Sequence, residues 1–244
     1  MTVTDVNVVK SAIFERPDDA NKGTLGSLLC VCGSYGMAGA AVMSAKGALR
    51  TGIGLAKCAL PRSIYPIVAQ TILESVYYPL SENADGRISK VNVPFLVSES
   101  CKSSATLVGC GLGVCDDTLK IVFSLIENSA TPLVLDADAL NCVAKQPEIL
   151  LRKKAPIIIT PHPGEMSRLT GLATPLVNAE RERVALDFAQ KYGVVTVLKG
   201  AGTVIASPNG KVLVNPTGNS GMATGGSGDV LAGMTASILA QGAS

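Results

Sequence analysis

Apolar residues along this chain fall into short blocks separated by turns rich in glycine and proline. Residues 25–32, 55–59, 74–78, 105–108, 132–135, 156–159 and 194–198 read as strands. Several are apolar at nearly every position, as in strands buried on both faces. Between them lie segments with helical character at 38–51, 93–100, 116–127 and 178–191, and a short one at 147–152; residues 61–70 read as helical or mixed. Pro94 does not break 93–100, because a first helical turn tolerates proline. Residues 38–51 are rich in small side chains, including Gly39, Ala40, Gly47 and Ala48, and so predict close packing on a sheet. Residues 203–206 and 211–214, joined across Pro208-Asn-Gly210, read as a hairpin. Strand, loop and helix in repetition predict an α/β fold with a mostly parallel sheet covered on both faces. No linker, repeat or low-complexity tract divides the chain, so one domain is expected over residues 1–244.

Composition narrows the picture without changing it. The 244 residues are 47% hydrophobic and 16% charged, enough apolar material for a large buried core. The net charge of +2 comes without a basic run, and tryptophan is absent, so nucleic acid is not expected as a partner. Residues 1–23 are mixed polar, unlike a secretory signal. The longest stretch of small apolar residues, 38–60, is interrupted by Lys46, Arg50 and Lys57, so no membrane span is expected. Seven cysteines, none in a Cys-x-x-Cys pair, accompany a single histidine; this predicts reduced thiols in a cytoplasmic protein and no zinc centre.

The unusual polar residues all follow predicted strands: Gly33-Ser34, Gly111-Leu-Gly113, Asp136 with Asp138, His162 with Glu165, and Lys199-Gly200. An open parallel α/β sheet binds ligands beyond the carboxyl ends of its strands, so these clusters are expected in one cleft. Each also has a plain reading. His162, held between Pro161 and Pro163, is either a turn residue or a ligand contact. Glu165 either caps the following helix or holds a metal-bound water. Asp136 and Asp138 are turn and cap residues, or carboxylates suited to Mg²⁺. Lys199 is a surface charge, or it opens a nucleotide-contacting turn. The charges Glu180, Arg181, Glu182 and Arg183 read as a solvated helix face.

The stretch Asn219-Ser-Gly-Met-Ala-Thr-Gly-Gly-Ser-Gly-Asp229 holds four glycines and leads into an apolar helix at 230–240. The first N–H groups of a helix lack internal partners and lie at its positive end, which favours an anion. Asp229 either stabilises that helix start or accepts a proton from a hydroxyl while the N–H groups of Gly226, Ser227 and Gly228 hold a transferring phosphate.

Gly39-Ala-Ala41, Asp136-Ala-Asp-Ala-Leu-Asn141, Thr160-Pro-His-Pro-Gly-Glu165, Lys199-Gly-Ala-Gly-Thr203 and residues 218–229 together resemble the ADP- or ATP-dependent NAD(P)H-hydrate dehydratases, in order and from about residue 22 to 240. The resemblance implies a ribokinase-like three-layer α/β sandwich. It implies dehydration of the S form of hydrated NADH and NADPH, with ADP as phosphoryl donor in the stand-alone bacterial form and Mg²⁺ as cofactor. By position, Ala40, Gly113, His162 and Asp229 would contact the hydrated dinucleotide. Lys199, Gly200, Ala201, Gly202, Thr203 and Gly228 would contact the nucleotide. Asp229 would be the catalytic base, with Glu165 and Asp136 as metal ligands. A homo-oligomer, with a tetramer one form the resemblance allows, is implied, as is functional pairing with a separate epimerase. No epimerase segment precedes Met1, and the chain stops soon after the last helix, which predicts a dehydratase alone with a shortened C-terminal end. The rivals are a small-molecule kinase of the same fold and an inactive nucleotide-binding module. The polar residues 1–19 are expected to be peripheral to catalysis.

Overall fold

The computed structural model describes residues 2–3, 10, 13 and 16–243. Its elements, in chain order, are β1 (Thr2–Val3), β2 (Ser27–Val31), α1 (Ala38–Arg50), β3 (Leu55–Pro61), α2 (Tyr65–Thr71), β4 (Val76–Leu80), α3 (Val93–Cys101), β5 (Ala105–Val108), α4 (Asp116–Asn128), β6 (Leu133–Leu135), α5 (Asp138–Val143), β7 (Ile157–Ile159), α6 (Pro163–Thr170), α7 (Thr174–Ala179), α8 (Arg181–Tyr192), β8 (Val195–Leu198), β9 (Thr203–Ala206), β10 (Val212–Asn215) and α9 (Ser227–Ala240). A 3₁₀ segment, Pro147–Arg152, stands where a short helix is expected. Residues 1–19 lie mostly outside the described residues, so the expectation that they are peripheral is not addressed by them.

One ten-stranded sheet runs in the order β1-β10-β9-β8-β7-β6-β5-β2-β3-β4. Strands β2 to β8 are parallel; β9 runs antiparallel to both β8 and β10. The apolar runs seen in the sequence have the expected cause. Every residue of β5 and β6 is buried, because helices cover both faces. One cluster joins Leu29, Val31, Val108 and Leu135 to Ile121, Leu125 and Phe188 of α4 and α8. The other joins Leu28, Cys30, Leu107 and Val134 to Ala41, Ala45, Ala232 and Ala236 of α1 and α9. Each fully buried Leu, Ile or Val contributes about 1.5–3 kcal/mol relative to exposure. The cysteines are unpaired; Cys30, Cys32, Cys58, Cys110 and Cys142 are buried.

The small residues of α1 serve its contact with α9. A Cβ on Gly233 would fall 2.0 Å from the Ser44 carbonyl oxygen, and one on Gly47 would fall 2.7 Å from that of Val230. Ser237 Oγ donates to the Ala48 carbonyl at 3.0 Å. The two backbones therefore touch, and this fixes where the glycine-rich loop ends.

Two expectations change, and two helices are new. The charged helix at 178–191 is two helices, α7 and α8, broken at Glu180 (φ −127°, ψ 40°). The strand-end motifs at 136–138 and 161–165 lead into the helices α5 and α6, whose bounds the sequence pattern does not set. The last helix starts at Ser227 rather than 230, which places Asp229 inside its first turn.

Candidate active site

The chain leaves β2 for β3 and β4 on one side, then returns through β5 to β6, β7 and β8 on the other. The loops after β2 and β5 therefore diverge, and a crevice opens between them. They are pinned together at the base: Gly33 N donates to the Cys110 carbonyl at 2.8 Å, and Ser34 Oγ donates to that of Gly111 at 2.7 Å. Ala40, at the start of α1, is buried against this seam. A Cβ on Gly111 would come within 2.7 Å of its methyl.

The end of β6 is strained. Ala137 has φ 49° and ψ −116°, a left-handed conformation that costs a non-glycine residue about 1–3 kcal/mol. This turn separates two carboxylates. Asp138 Oδ2 accepts from Gly113 N at 2.8 Å, while Asp136 points inward and is 1% exposed. Gly109 makes room for it: a Cβ there would sit 1.8 Å from the Asp136 carbonyl oxygen.

Asp136 is the hub. Its Oδ1 accepts from Lys199 Nζ and from Thr160 Oγ1, each at 2.7 Å. Its Oδ2 faces the Cys110 thiol at 3.7 Å. Lys199 is thus drawn into the crevice rather than left as a surface charge; its side chain is 18% exposed, and Nζ also lies 3.8 Å from Glu165 Oε2. Asp229 reaches the same place from α9. Donor atoms of Cys110, Asp136 and Asp229 lie within 4.8 Å of one another. Burial, and then the negative charge of Asp136, raise the Asp229 carboxyl above the ordinary aspartate range; hydrogen bonding to Cys110 and the charge of Lys199 act against this.

The helix start closes the group. Gly226 is left-handed (φ 91°) and caps α9 without a side-chain bond. A Cβ on Gly228 would stand 3.5 Å from Lys199 Nζ and 3.9 Å from Asp136 Oδ2, so this peptide lies over the Lys–Asp pair. Of the three amides expected to face an anion, that of Ser227 is engaged, by a long 3.4 Å bond to the Thr224 carbonyl. The Ser227 hydroxyl is spent within the loop, on the carbonyls of Met222 and Thr224.

His162 and Glu165 form a capping box. His162 Nδ1 accepts from the amides of Gly164 and Glu165 at 3.0 and 3.3 Å, and Glu165 Oε2 accepts from His162 N at 2.8 Å. The capping alternative for Glu165 is therefore present in the structure. The acceptor role of Nδ1 leaves the ring hydrogen on Nε2, 3.4 Å from Glu165 Oε1. Half of the His162 side chain is exposed, so the ring edge is free to meet a ligand. Burial raises the Glu165 carboxyl, opposed by Lys199.

Two contributors had no distinct signal in the sequence. Arg87, from the loop after β4, crosses the β5 loop; its Nε would be 2.5 Å from a Cβ on Gly113, and it donates to the Val114 carbonyl at 3.1 Å. Arg181 is not part of a solvated face. It donates to the carbonyls of Leu198 and Lys199 at 2.8 and 3.2 Å, because the helix break at Glu180 turns it toward the end of β8. Beside that end, Gly200, Ala201 and Gly202 form the β8–β9 turn and Thr203 opens β9, next to a cavity of about 580 Å³.

The family model described as NAD(P)H-hydrate dehydratase matches residues 28–244. The bifunctional NAD(P)H-hydrate repair enzyme of Moorella thermoacetica is 39% identical over 96% of this chain and 44% of its own length. The chain thus spans less than half of such bifunctional relatives. The ADP-dependent (S)-NAD(P)H-hydrate dehydratase of Neisseria meningitidis is 36% identical over 93% of this chain and 73% of its own. Among solved structures, the ADP/ATP-dependent NAD(P)H-hydrate dehydratase of Bacillus subtilis, co-crystallised with ATP and Mg²⁺, is 31% identical with a TM-score of 0.83, over 98% of this chain and 81% of that one.

Proposed function

The chain belongs to the NAD(P)H-hydrate dehydratase family, and from that premise we propose that it dehydrates (6S)-hydrated NADH and NADPH at the expense of ADP, releasing AMP and phosphate. The observation that carries this is the meeting of Asp229, Asp136, Lys199 and the start of α9 at one point beyond the strand ends.

Hydroxide is a poor leaving group, so the C6 hydroxyl must first be esterified. Asp229, raised in basicity by burial and by Asp136, takes the hydroxyl proton as the oxygen attacks the terminal phosphate of ADP. The first-turn amides at Gly226 and Gly228, with Lys199, hold the charge on the transferring group. AMP departs. The lone pair of the ring nitrogen then expels phosphate from C6 to give an iminium, and loss of a proton from C5 to water or to the departing phosphate re-forms the C5–C6 double bond of the dihydronicotinamide. That last step is driven by the substrate. Mg²⁺, when bound, supplies positive charge to the phosphates. Asp136 and Glu165 are the carboxylates that would hold it; one or two carboxylates plus phosphate suit this ion. Ala40, Gly113 and the exposed edge of His162 line the dinucleotide side, and residues 199–203 with Gly228 line the ADP side. Assembly as a homo-oligomer, pairing with an epimerase, and cytoplasmic residence belong to the same proposal.

The test is direct. Hydrated NADH, ADP and Mg²⁺ are mixed with the protein, and recovery of NADH absorbance is followed beside phosphate release. Equal molar yields of both are expected. Consumption of ADP by some other hydroxyl compound, with no NADH recovered, would mark a kinase instead.

A further inference from the structure

Arg181 has no part in the chemistry above, yet it is tied to the turn that would carry the nucleotide. One terminal nitrogen donates to two successive carbonyls, those of Leu198 and Lys199. Gly200 has φ 149°, and a Cβ there would stand 2.9 Å from both terminal nitrogens, so the guanidinium lies flat against that peptide. Nε is buried without a hydrogen-bond partner. Glu180, its neighbour in sequence, is taken by Arg183 instead, and among the described residues no carboxylate forms an ion pair with Arg181. The same side chain lines the cavity of about 580 Å³, whose other walls include Ala201, Gly202, Val204 and Val214. These small and apolar residues form the side of the cavity that comes from the β8–β9 turn and the sheet, while Asn178, Glu180, Glu182 and Arg183 line the rest; the apolar side, beside the Arg181 guanidinium, suits a nucleoside with its phosphates directed toward Lys199.

We propose that Arg181 is the positioning residue of the β8–β9 turn: it holds residues 199–203 in the shape that receives the donor nucleotide, and it sets affinity for that nucleotide without affecting the hydrated dinucleotide. A lysine cannot replace it in full. The planar guanidinium lies flat against the Gly200 peptide while one of its nitrogens reaches two carbonyls, whereas an ammonium is a point charge on a flexible stem. Gly200 belongs to the same device, since any side chain there pushes the guanidinium away.

This rests on the dehydratase reading only for the identity of the nucleotide. AMP binding by calorimetry, steady-state kinetics and thermal midpoints are measured for Arg181→Met, Arg181→Lys and Gly200→Ala. In Arg181→Met, Kd for AMP and KM for ADP are expected to rise on the order of ten- to a hundredfold, the usual scale for lost charge-assisted bonds. KM for hydrated NADH should stay within about twofold, and Arg181→Lys should recover part of the loss. Gly200→Ala should weaken AMP as well, both by displacing the guanidinium and by straining a backbone at φ 149°. An unchanged Kd for AMP in Arg181→Met, equal losses for both ligands, or failure of the wild type to bind AMP would overturn the proposal. If AMP binding follows this pattern and no NADH is recovered, the dehydratase reading fails while the role of Arg181 stands.

Discussion

At the scale of residues, Asp229 and Lys199 have opposite signs in stability. Burial and Asp136 raise the Asp229 carboxyl, so the folded state holds that proton more tightly than the unfolded chain. The stability of the protonated form is complete below the unfolded pKa and is lost as pH rises through the folded one. Asp229→Asn imitates the protonated form. Its thermal midpoint should therefore equal or exceed the wild type at neutral pH, and the difference should vanish toward pH 4. Turnover should fall about 10²–10⁴-fold, the scale of a positioned general base, with AMP affinity kept. In the parent, kcat/KM should decline on the acid side with a midpoint above the ordinary aspartate range, because protonation removes the base. A lower midpoint with near-normal turnover would return Asp229 to a helix-start role. Lys199→Ala does the reverse. It leaves Asp136, 1% exposed, with Thr160 alone on Oδ1. Unmasking a buried charge costs about 3–5 kcal/mol, and the 18% exposure of the lysine side chain puts the expected loss below that range. Urea unfolding should show the loss, and titrations should show AMP weakened more than NADPH.

At the scale of elements, the α1–α9 contact decides where the glycine-rich loop delivers its amides. Gly233→Ala places a methyl 2.0 Å from the Ser44 carbonyl oxygen, which is backbone and cannot rotate away. The helices must part, at a cost of about 1–3 kcal/mol or more, and the shift carries Gly228 and Asp229 with it. Both the thermal midpoint and turnover should drop. Gly225→Ala, where nothing lies within 4 Å of the added atom, should leave both nearly unchanged. A tolerated Gly233→Ala would mean that the contact has slack and does not position Asp229.

At the scale of the whole molecule, the strands that carry chemistry are central and β1 is the outermost strand of the sheet. Deleting residues 1–19 should lower the thermal midpoint while leaving turnover per folded molecule close to the parent; a collapse of turnover at unchanged folding would place this arm in the site or in an active oligomer. The sequence by itself determined the alternating α/β order, because strands covered on both faces must be apolar along their length. It also determined which residues meet: in a parallel sheet every strand ends at the same edge, so Gly33, Gly113, Asp136, His162 and Lys199 were bound to share it. Only the tertiary structure decided what these groups do to one another. No local pattern shows that Lys199 bonds Asp136 sixty-three residues away, or that His162 and Glu165 pair in one capping box. Arg181 reads as a surface charge because helical period ignores a break; one non-helical residue, Glu180, turned it inward. Arg87 was hidden because its place depends on how the β4–α3 loop crosses another loop. Periodicity records which face of an element is covered, while partners across the sheet are chosen by packing, where close contacts such as Gly233 on Ser44 set the distances.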